Sequence, residues 1–158
     1  MPHNQSFLLL ALSVAMLSAC GESKKTVNSN IDELVVKIGA AAPLTGPQAH
    51  IGKDNENGTR MAIEDANTKG VIIGGRKARF ELISEDDQAD PKTATIVAQK
   101  LVDAKVNGVI GHLNSGTSIP ASRIYSDNGI PQISPSATAV SYTAQGLKTA
   151  FRVMSNDG

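Results

Sequence analysis

Tryptophan is absent from this chain of 158 residues, and aromatic residues make up only 3% of it. Surfaces that stack nucleobases or sugars are built from such rings, so those two binding modes have little to work with here. An excess of one charge is also missing. Fifteen basic and fifteen acidic residues cancel to a formal net charge of +0, which excludes wholesale attraction to nucleic acid or to an anionic surface. Beyond residue 20 no apolar run is long enough to span a bilayer. The chain has a single cysteine, so no intrachain disulfide can form. Signatures of chemistry are missing as well. Gly46 and Gly52-Lys53 superficially suggest a phosphate loop, but five residues separate the glycines and Asp54 stands where a Ser or Thr is required. No Gly-x-Gly-x-x-Gly turn follows the first apolar run, and no Gly-x-Ser-x-Gly elbow occurs. His50 and His112 have no cysteine or carboxylate at metal-ligand spacing, and His112, inside an apolar run, is expected to be a satisfied structural histidine. No cofactor or metal is expected.

The single cysteine is informative by its position. Residues 7–17, FLLLALSVAML, are apolar but too short to cross a membrane, and Leu17-Ser18-Ala19-Cys20 follows at once. This pattern resembles a bacterial lipoprotein leader, in which the cysteine becomes the lipidated N-terminus. Each buried methylene of an acyl chain adds roughly 0.8 kcal/mol, so several chains on Cys20 would anchor the protein stably. Residues 1–19 are thus expected to be a signal peptide, and the polar, aperiodic stretch 20–33 a flexible tether.

From residue 34 onward the chain is long enough for one domain with a real core. LVVKIGAAA (34–42) is nearly all apolar and suits a strand covered on both faces. A Gly- and Pro-rich loop follows to residue 54, then a helix over 55–68 with Gly58, Met61, Ala62 and Ala66 on one stripe and Gly70 as its stop. ARFELISED (78–86) is the second strand. Asp90-Pro91 predicts a capped helix whose buried stripe is Ala94, Val97, Ala98, Leu101 and Val102. Strands at 109–113, 130–134 and 151–154, with a helix ending near Asn128, complete the pattern. Alternation of this kind predicts an α/β, doubly wound parallel sheet in a three-layer αβα lobe, built of right-handed βαβ units. Glu85, Asp86 and Asp87 are expected to be solvated.

In such sheets ligands bind beyond the carboxyl ends of the strands. Three loops qualify: 43–54, 113–118 and 134–138. The glycines of the first are read as turn formers that bring the backbone near a cleft. The second, within VIGHLNSGTSIPAS (109–122), offers hydroxyls and converging N–H groups but no lysine. A helix start there would favour a negative group by ~0.3–1 kcal/mol. One alternative is that Ser115, Thr117 or Ser118 merely caps the helix. The third loop, SPSAT, puts further hydroxyls at the neighbouring strand end, and two such clusters favour a cradle for a small anion or zwitterion.

Four segments in order, AAPLTGPQAHIGKDNENGTRMAIEDAN, DDQADPKTATIVAQKLV, VIGHLNSGTSIPAS and GIPQISPSAT, resemble the N-terminal lobe of the leucine/isoleucine/valine-binding proteins. These are type I periplasmic substrate-binding proteins of branched-chain amino acid ABC importers. The resemblance runs from residue 35 to about 156 and implies a lobe over 34–158 whose second, closing lobe is absent from this chain. It further implies that Ser115 binds the amino acid carboxylate, that Thr138 contacts carboxylate and ammonium, and that Ser136 offers its carbonyl to the ammonium. Leu113 and Asn114 fall beside the ligand side chain. Ile51 falls where many members place an aromatic ring over it. The family's common cysteine pair would fall at Ala89 and Asn114, and both cysteines are missing. The implied ligand is leucine, isoleucine or valine, and the implied partners are permease subunits and, through Cys20, a membrane in the cell envelope or periplasm. No nucleic acid is implied, and no catalysis. Alternatives are a binding protein for amides, urea or another small carboxylate, and an enzyme on a nucleotide-binding lobe, which would need the missing phosphate turn. A sensory domain of the same fold would need a spanning helix.

Overall fold

The computed structural model describes residues 33–158. The leader, Cys20 and the tether as far as residue 32 therefore lie outside the described residues. Strand β1 (Leu34–Ala42) is followed by helix α1 (Ala49–Lys69), a two-residue strand β2 (Ile72–Ile73), β3 (Arg76–Asp86), α2 (Pro91–Asp103), β4 (Gly108–Gly111), α3 (Ser115–Asp127), β5 (Gln132–Ser134), the short α4 (Val140–Ala144) and β6 (Ala150–Arg152). The six strands form one sheet in the order β2-β3-β1-β4-β5-β6. All neighbours are parallel except β2, which pairs antiparallel with β3 through Gly74 and Gly75, both at positive φ. The expected α/β doubly wound sheet is the architecture found.

Successive residues of β1 show the layering, because strand side chains alternate between faces. Ile38 lies against the α1 side, lining a groove with Thr59, Ala62 and Ala66. Gly39 points the other way, where an added Cβ would stand 3.1 Å from Leu101 of α2. Helices α2 and α3 share that second face, and between them and the sheet lies the main core of Val97, Leu101, Val109, Ala121, Tyr125 and Ile130. Leu101 is fully buried, worth about 1.5–3 kcal/mol relative to exposure. A second small cluster, Ala137, Tyr142 and Ala150, closes the β6 edge.

Local chemistry explains most element ends. Asp90 caps α2 as expected, its carboxylate accepting from the Thr93 N–H at 2.7 Å, with Pro91 in the first turn. Gly70 ends α1 in the left-handed conformation at φ 68°, its N–H donating to the carbonyls of Ala66 and Asn67. Asn67 also pins α1 to the sheet, donating to the Phe80 carbonyl at 2.9 Å and accepting the Phe80 N–H at 2.8 Å.

Three expectations are corrected. Helix α1 begins at Ala49, so residues 49–54 are helical and not loop. The reason is tertiary. Gly52 lies against the Pro43 carbonyl so closely that a Cβ there would be 1.9 Å from its oxygen. Gly46, at φ 79°, is the turn former, whereas Gly52 permits close packing. Met61 is 66% exposed, and the rest of the expected α1 stripe is not buried either. Gly58 and Ala62 are exposed and Ala66 half-buried along an open groove, while the buried residues of the helix are Gly52 and Thr59. Asp87, expected in solvent, is wholly buried, and Asp86 is tied into the first loop.

Candidate functional site

The sheet order reverses direction at β1, whose neighbours are β3 on one side and β4 on the other. The crevice beyond the carboxyl ends of β1 and β4 is the place where such sheets bind ligands. Two side chains bridge it: Asn114, just past β4, donates from its amide nitrogen to the Gln48 side chain at 2.9 Å, and Gln48 precedes α1. The motif-based reading missed Gln48, which carries no charge and no spacing signal.

The loop before α1 is held by a carboxylate. Asp86 Oδ1 accepts the Leu44 N–H at 2.8 Å and the Gln88 N–H at 2.9 Å, while Oδ2 accepts the Thr45 hydroxyl. Burial alone would raise this carboxyl, but the donors from Thr45, Gln88 and Leu44 outweigh it and hold Asp86 below its ordinary value.

Beyond β4 the backbone is fixed from beneath. Asp87 Oδ2 accepts from His112 Nδ1 at 2.7 Å, and the other ring nitrogen lies 3.2 Å from the Tyr125 hydroxyl; all three residues are fully buried. Burial, and then the charge of Asp87, push the Tyr125 phenol up. His112 is thus the satisfied structural histidine expected. Its own carbonyl accepts two serine hydroxyls, Ser118 at 3.0 Å and Ser134 at 2.8 Å, which join α3 and β5 to the end of β4. Among the described residues no group of His, Cys, Asp or Glu could hold a metal ion.

On this base sit the predicted residues. Helix α3 starts at Ser115 with Asn114 as its cap residue, and no side chain caps it. Thr117 and Ser118 donate to the carbonyls of Asn114 and His112, and Ser115 Oγ accepts the Ala139 N–H at 3.1 Å. The capping alternative is therefore not what the hydroxyls do. Ser136 donates to the Leu113 carbonyl at 2.6 Å, binding the third loop to the second. The Thr138 hydroxyl has no partner among the described residues, and neither have the N–H groups of Ser115 and Gly116. Ser115 and Thr138 are brought together, because the residue after Thr138 is the one bonded to Ser115. What they present jointly is two hydroxyls beside the N–H groups of Ser115 and Gly116.

Ile51 and Leu113 meet in a different feature. They line one open groove of about 670 Å³ with Ile38, Ile63, Phe80 and Ile110, and Ile51 is 47% exposed. The groove has an almost wholly apolar wall, and Ser115, Ser136 and Thr138 do not line it. Hydroxyl cradle and apolar groove are separate features that share the Leu113 neighbourhood.

Residues 35–156 match the sequence profile of a family described as periplasmic binding protein. A Leu/Ile/Val-binding protein homolog of Brucella abortus is 43% identical over 122 residues, which is 77% of this chain and 32% of that protein. The chain thus spans about a third of the length of that relative. Among solved structures, the branched-chain amino acid transporter substrate binding protein of Streptococcus pneumoniae, in complex with isoleucine, is 30% identical with a TM-score of 0.72, covering 78% of this chain and 35% of that one. A solute binding protein of Rhodopseudomonas palustris in complex with 3,4-dihydroxy benzoic acid is 28% identical with a TM-score of 0.66, covering 77% and 32%.

Proposed function

The chain belongs to the periplasmic binding protein family, and from that premise we propose that it forms the N-terminal lobe of an ABC importer's extracytoplasmic binding component, which takes up a branched-chain amino acid and delivers it to a permease. One observation carries this reading: the unpartnered Thr138 hydroxyl stands next to Ser115, beside the unpaired N–H groups of Ser115 and Gly116, at the crevice where the sheet order reverses. Two hydroxyls and two backbone N–H groups can all donate to a carboxylate, and among the described residues no hydrogen bond joins either hydroxyl to a His, Lys or carboxylate base. Ser115 Oγ uses one lone pair for the Ala139 N–H, which leaves its proton for the ligand. Ser136 has committed its proton to Leu113, which suits a role through its carbonyl toward the ammonium. Leu113, Asn114 and Ile51 then flank the aliphatic side chain. Residues 34–158 are the lobe, residues 20–33 its tether and Cys20 its lipid anchor. A second lobe would close on the ligand and exclude water, so this lobe alone binds weakly.

The test is a titration of the isotopically labelled chain with leucine, read by amide chemical shifts. Leucine at millimolar concentration should move the amides of Ser115, Gly116, Thr138 and Ala139 and leave those of α2 in place. Absence of any shift with leucine, isoleucine and valine sinks the reading.

A second reading, another small carboxylate, is favoured by the likeness to a protein solved with 3,4-dihydroxy benzoic acid. The hydroxyl cradle would hold any carboxylate, while the ammonium contacts discriminate. Shifts with benzoate that exceed those with leucine would select it.

A further inference from the structure

Arg152, the last residue of β6, reaches back over the third loop. Its Nη1 donates to the carbonyls of Ala137 at 3.1 Å, Thr138 at 3.1 Å and Ala139 at 2.9 Å, and its Nη2 donates to the Thr143 hydroxyl at 2.6 Å. Three successive carbonyl oxygens turned to one point repel one another, since each is the negative end of a peptide dipole. A cation at their focus converts that repulsion into charge-assisted hydrogen bonds. No carboxylate pairs with Arg152 among the described residues, so the carbonyls are its partners. A planar guanidinium with donors in a fixed fork suits this task better than a flexible ammonium.

The same segment carries the ligand residues. Thr138 is the middle one of the three, and Ala139 gives its N–H to Ser115 Oγ. A peptide plane whose carbonyl is fixed has its N–H direction fixed as well. We propose that Arg152 is a positioning residue of the ligand site: by gathering the carbonyls of residues 137–139 it aims the Thr138 hydroxyl and, through the Ala139 N–H, sets the Ser115 hydroxyl. It does so from behind the loop and does not touch ligand. The inference rests on the reading that Ser115 and Thr138 hold the solute, and it adds a residue that neither loop contains.

Arg152→Met and Arg152→Lys in the full chain, isotopically labelled, test it through two readouts. The first is hydrogen exchange at the Ala139 amide, set against the Leu101 and Val109 amides of the core. In Arg152→Met, exchange at Ala139 should rise about tenfold while the core amides keep their protection, the ratio expected from losing charge-assisted bonds. Arg152→Lys keeps the charge and three donors, so it should bring Ala139 back to within about threefold of the parent. The second readout is the leucine titration, where the apparent Kd should rise about tenfold in Arg152→Met and recover in Arg152→Lys. Unchanged Ala139 exchange in Arg152→Met overturns the proposal. So does loss of protection at Leu101 and Val109 in step with Ala139 in both variants, which would mark a merely structural residue. If Ala139 opens but the leucine Kd stays at the parent value, Arg152 orders a loop without serving the site, and the proposal fails while the functional reading stands. If the parent chain shows no leucine response, the functional reading fails, and the exchange comparison decides whether Arg152 sets the loop.

Discussion

The hydroxyls of Ser115 and Thr138 differ in what the protein asks of them, and that difference is measurable. Thr138→Val preserves the branched shape and removes an oxygen with no partner among the described residues. Stability of the unliganded protein should therefore change by less than about 0.5 kcal/mol. In a two-lobed protein, made by joining this lobe to the second lobe of a relative, the ligand loses a hydrogen bond between a neutral donor and a charged group. Such a bond is worth roughly 1.5–3 kcal/mol, so leucine affinity should fall about tenfold to a hundredfold. Ser115→Ala behaves otherwise. It removes a ligand donor and also the acceptor of the Ala139 N–H, so it should weaken binding and in addition lower apo stability by about 1 kcal/mol. The double variant should lose less than the sum, because both groups are proposed to serve one ligand and their loops are joined through the Ala139 N–H on Ser115 Oγ. Calorimetry supplies the affinities and urea unfolding the stabilities. Equal apo stability losses in the two single variants would refute the argument, as would a Thr138→Val protein that binds leucine like its parent.

Three further outcomes follow from particular contacts. Gly52→Ala places a Cβ on the Pro43 carbonyl and should destabilise the lobe by about 1–3 kcal/mol in urea unfolding, whereas Gly58→Ala, which meets nothing, should be neutral or stabilising. Asp86, whose pKa is lowered on folding, adds stability that is present above the unfolded-state value near ~3.9 and is lost as pH falls through the folded value. Acid unfolding should accordingly be less steep below about pH 4 in Asp86→Asn, and a curve parallel to the parent's would contradict the assignment. Cys20, outside the described residues, should carry radioactive fatty acid in expressing bacteria, and Cys20→Ser should abolish the label; an unlabelled parent protein in the membrane fraction rules out the anchor.

Much of the fold is legible because single residue types decide it. The apolar run 34–42 suits a strand covered on both faces, and the observed bounds agree, although only its last four residues are buried and Val35 is 39% exposed. Asp90 and Pro91 set the start of α2 through one carboxylate and one fixed φ. The start of α1 is different. Nothing local distinguishes residues 49–54 from loop, since the deciding contact lies between Gly52 and Pro43, on another segment. Met61 shows the same limit: periodicity alone puts Gly58, Met61, Ala62 and Ala66 on one stripe, yet Met61 stands 66% exposed and the other three line an open groove, while the helix buries Gly52 and Thr59. The Gly74-Gly75 hairpin carries a turn signal, but a two-residue strand before it is too short to show a period.

The site divides along similar lines. Hydroxyls at two neighbouring strand ends mark the place proposed for it, because strand ends and loop chemistry are both sequence properties. The framework under it is not. Asp87 sits among acidic neighbours that suggest solvent, yet its side chain is wholly buried against His112. That burial is tolerable only because both oxygens are used, one by His112 and one by the Ala89 N–H at 2.9 Å. His112 in turn offers its carbonyl to Ser118 and Ser134, so four of the hydroxyls in this region are consumed in construction, counting Thr117 on Asn114 and Ser136 on Leu113. A Ser-rich loop therefore overstates its own binding capacity. The useful signal is which hydroxyl remains unspent once the framework is satisfied, and here that is Thr138, with the proton of Ser115 beside it. Residues that fix the backbone beneath a site are recognisable only when their partners are known, which is why Asp87, Gln48 and Arg152 give no warning in sequence and become interpretable only in the folded chain.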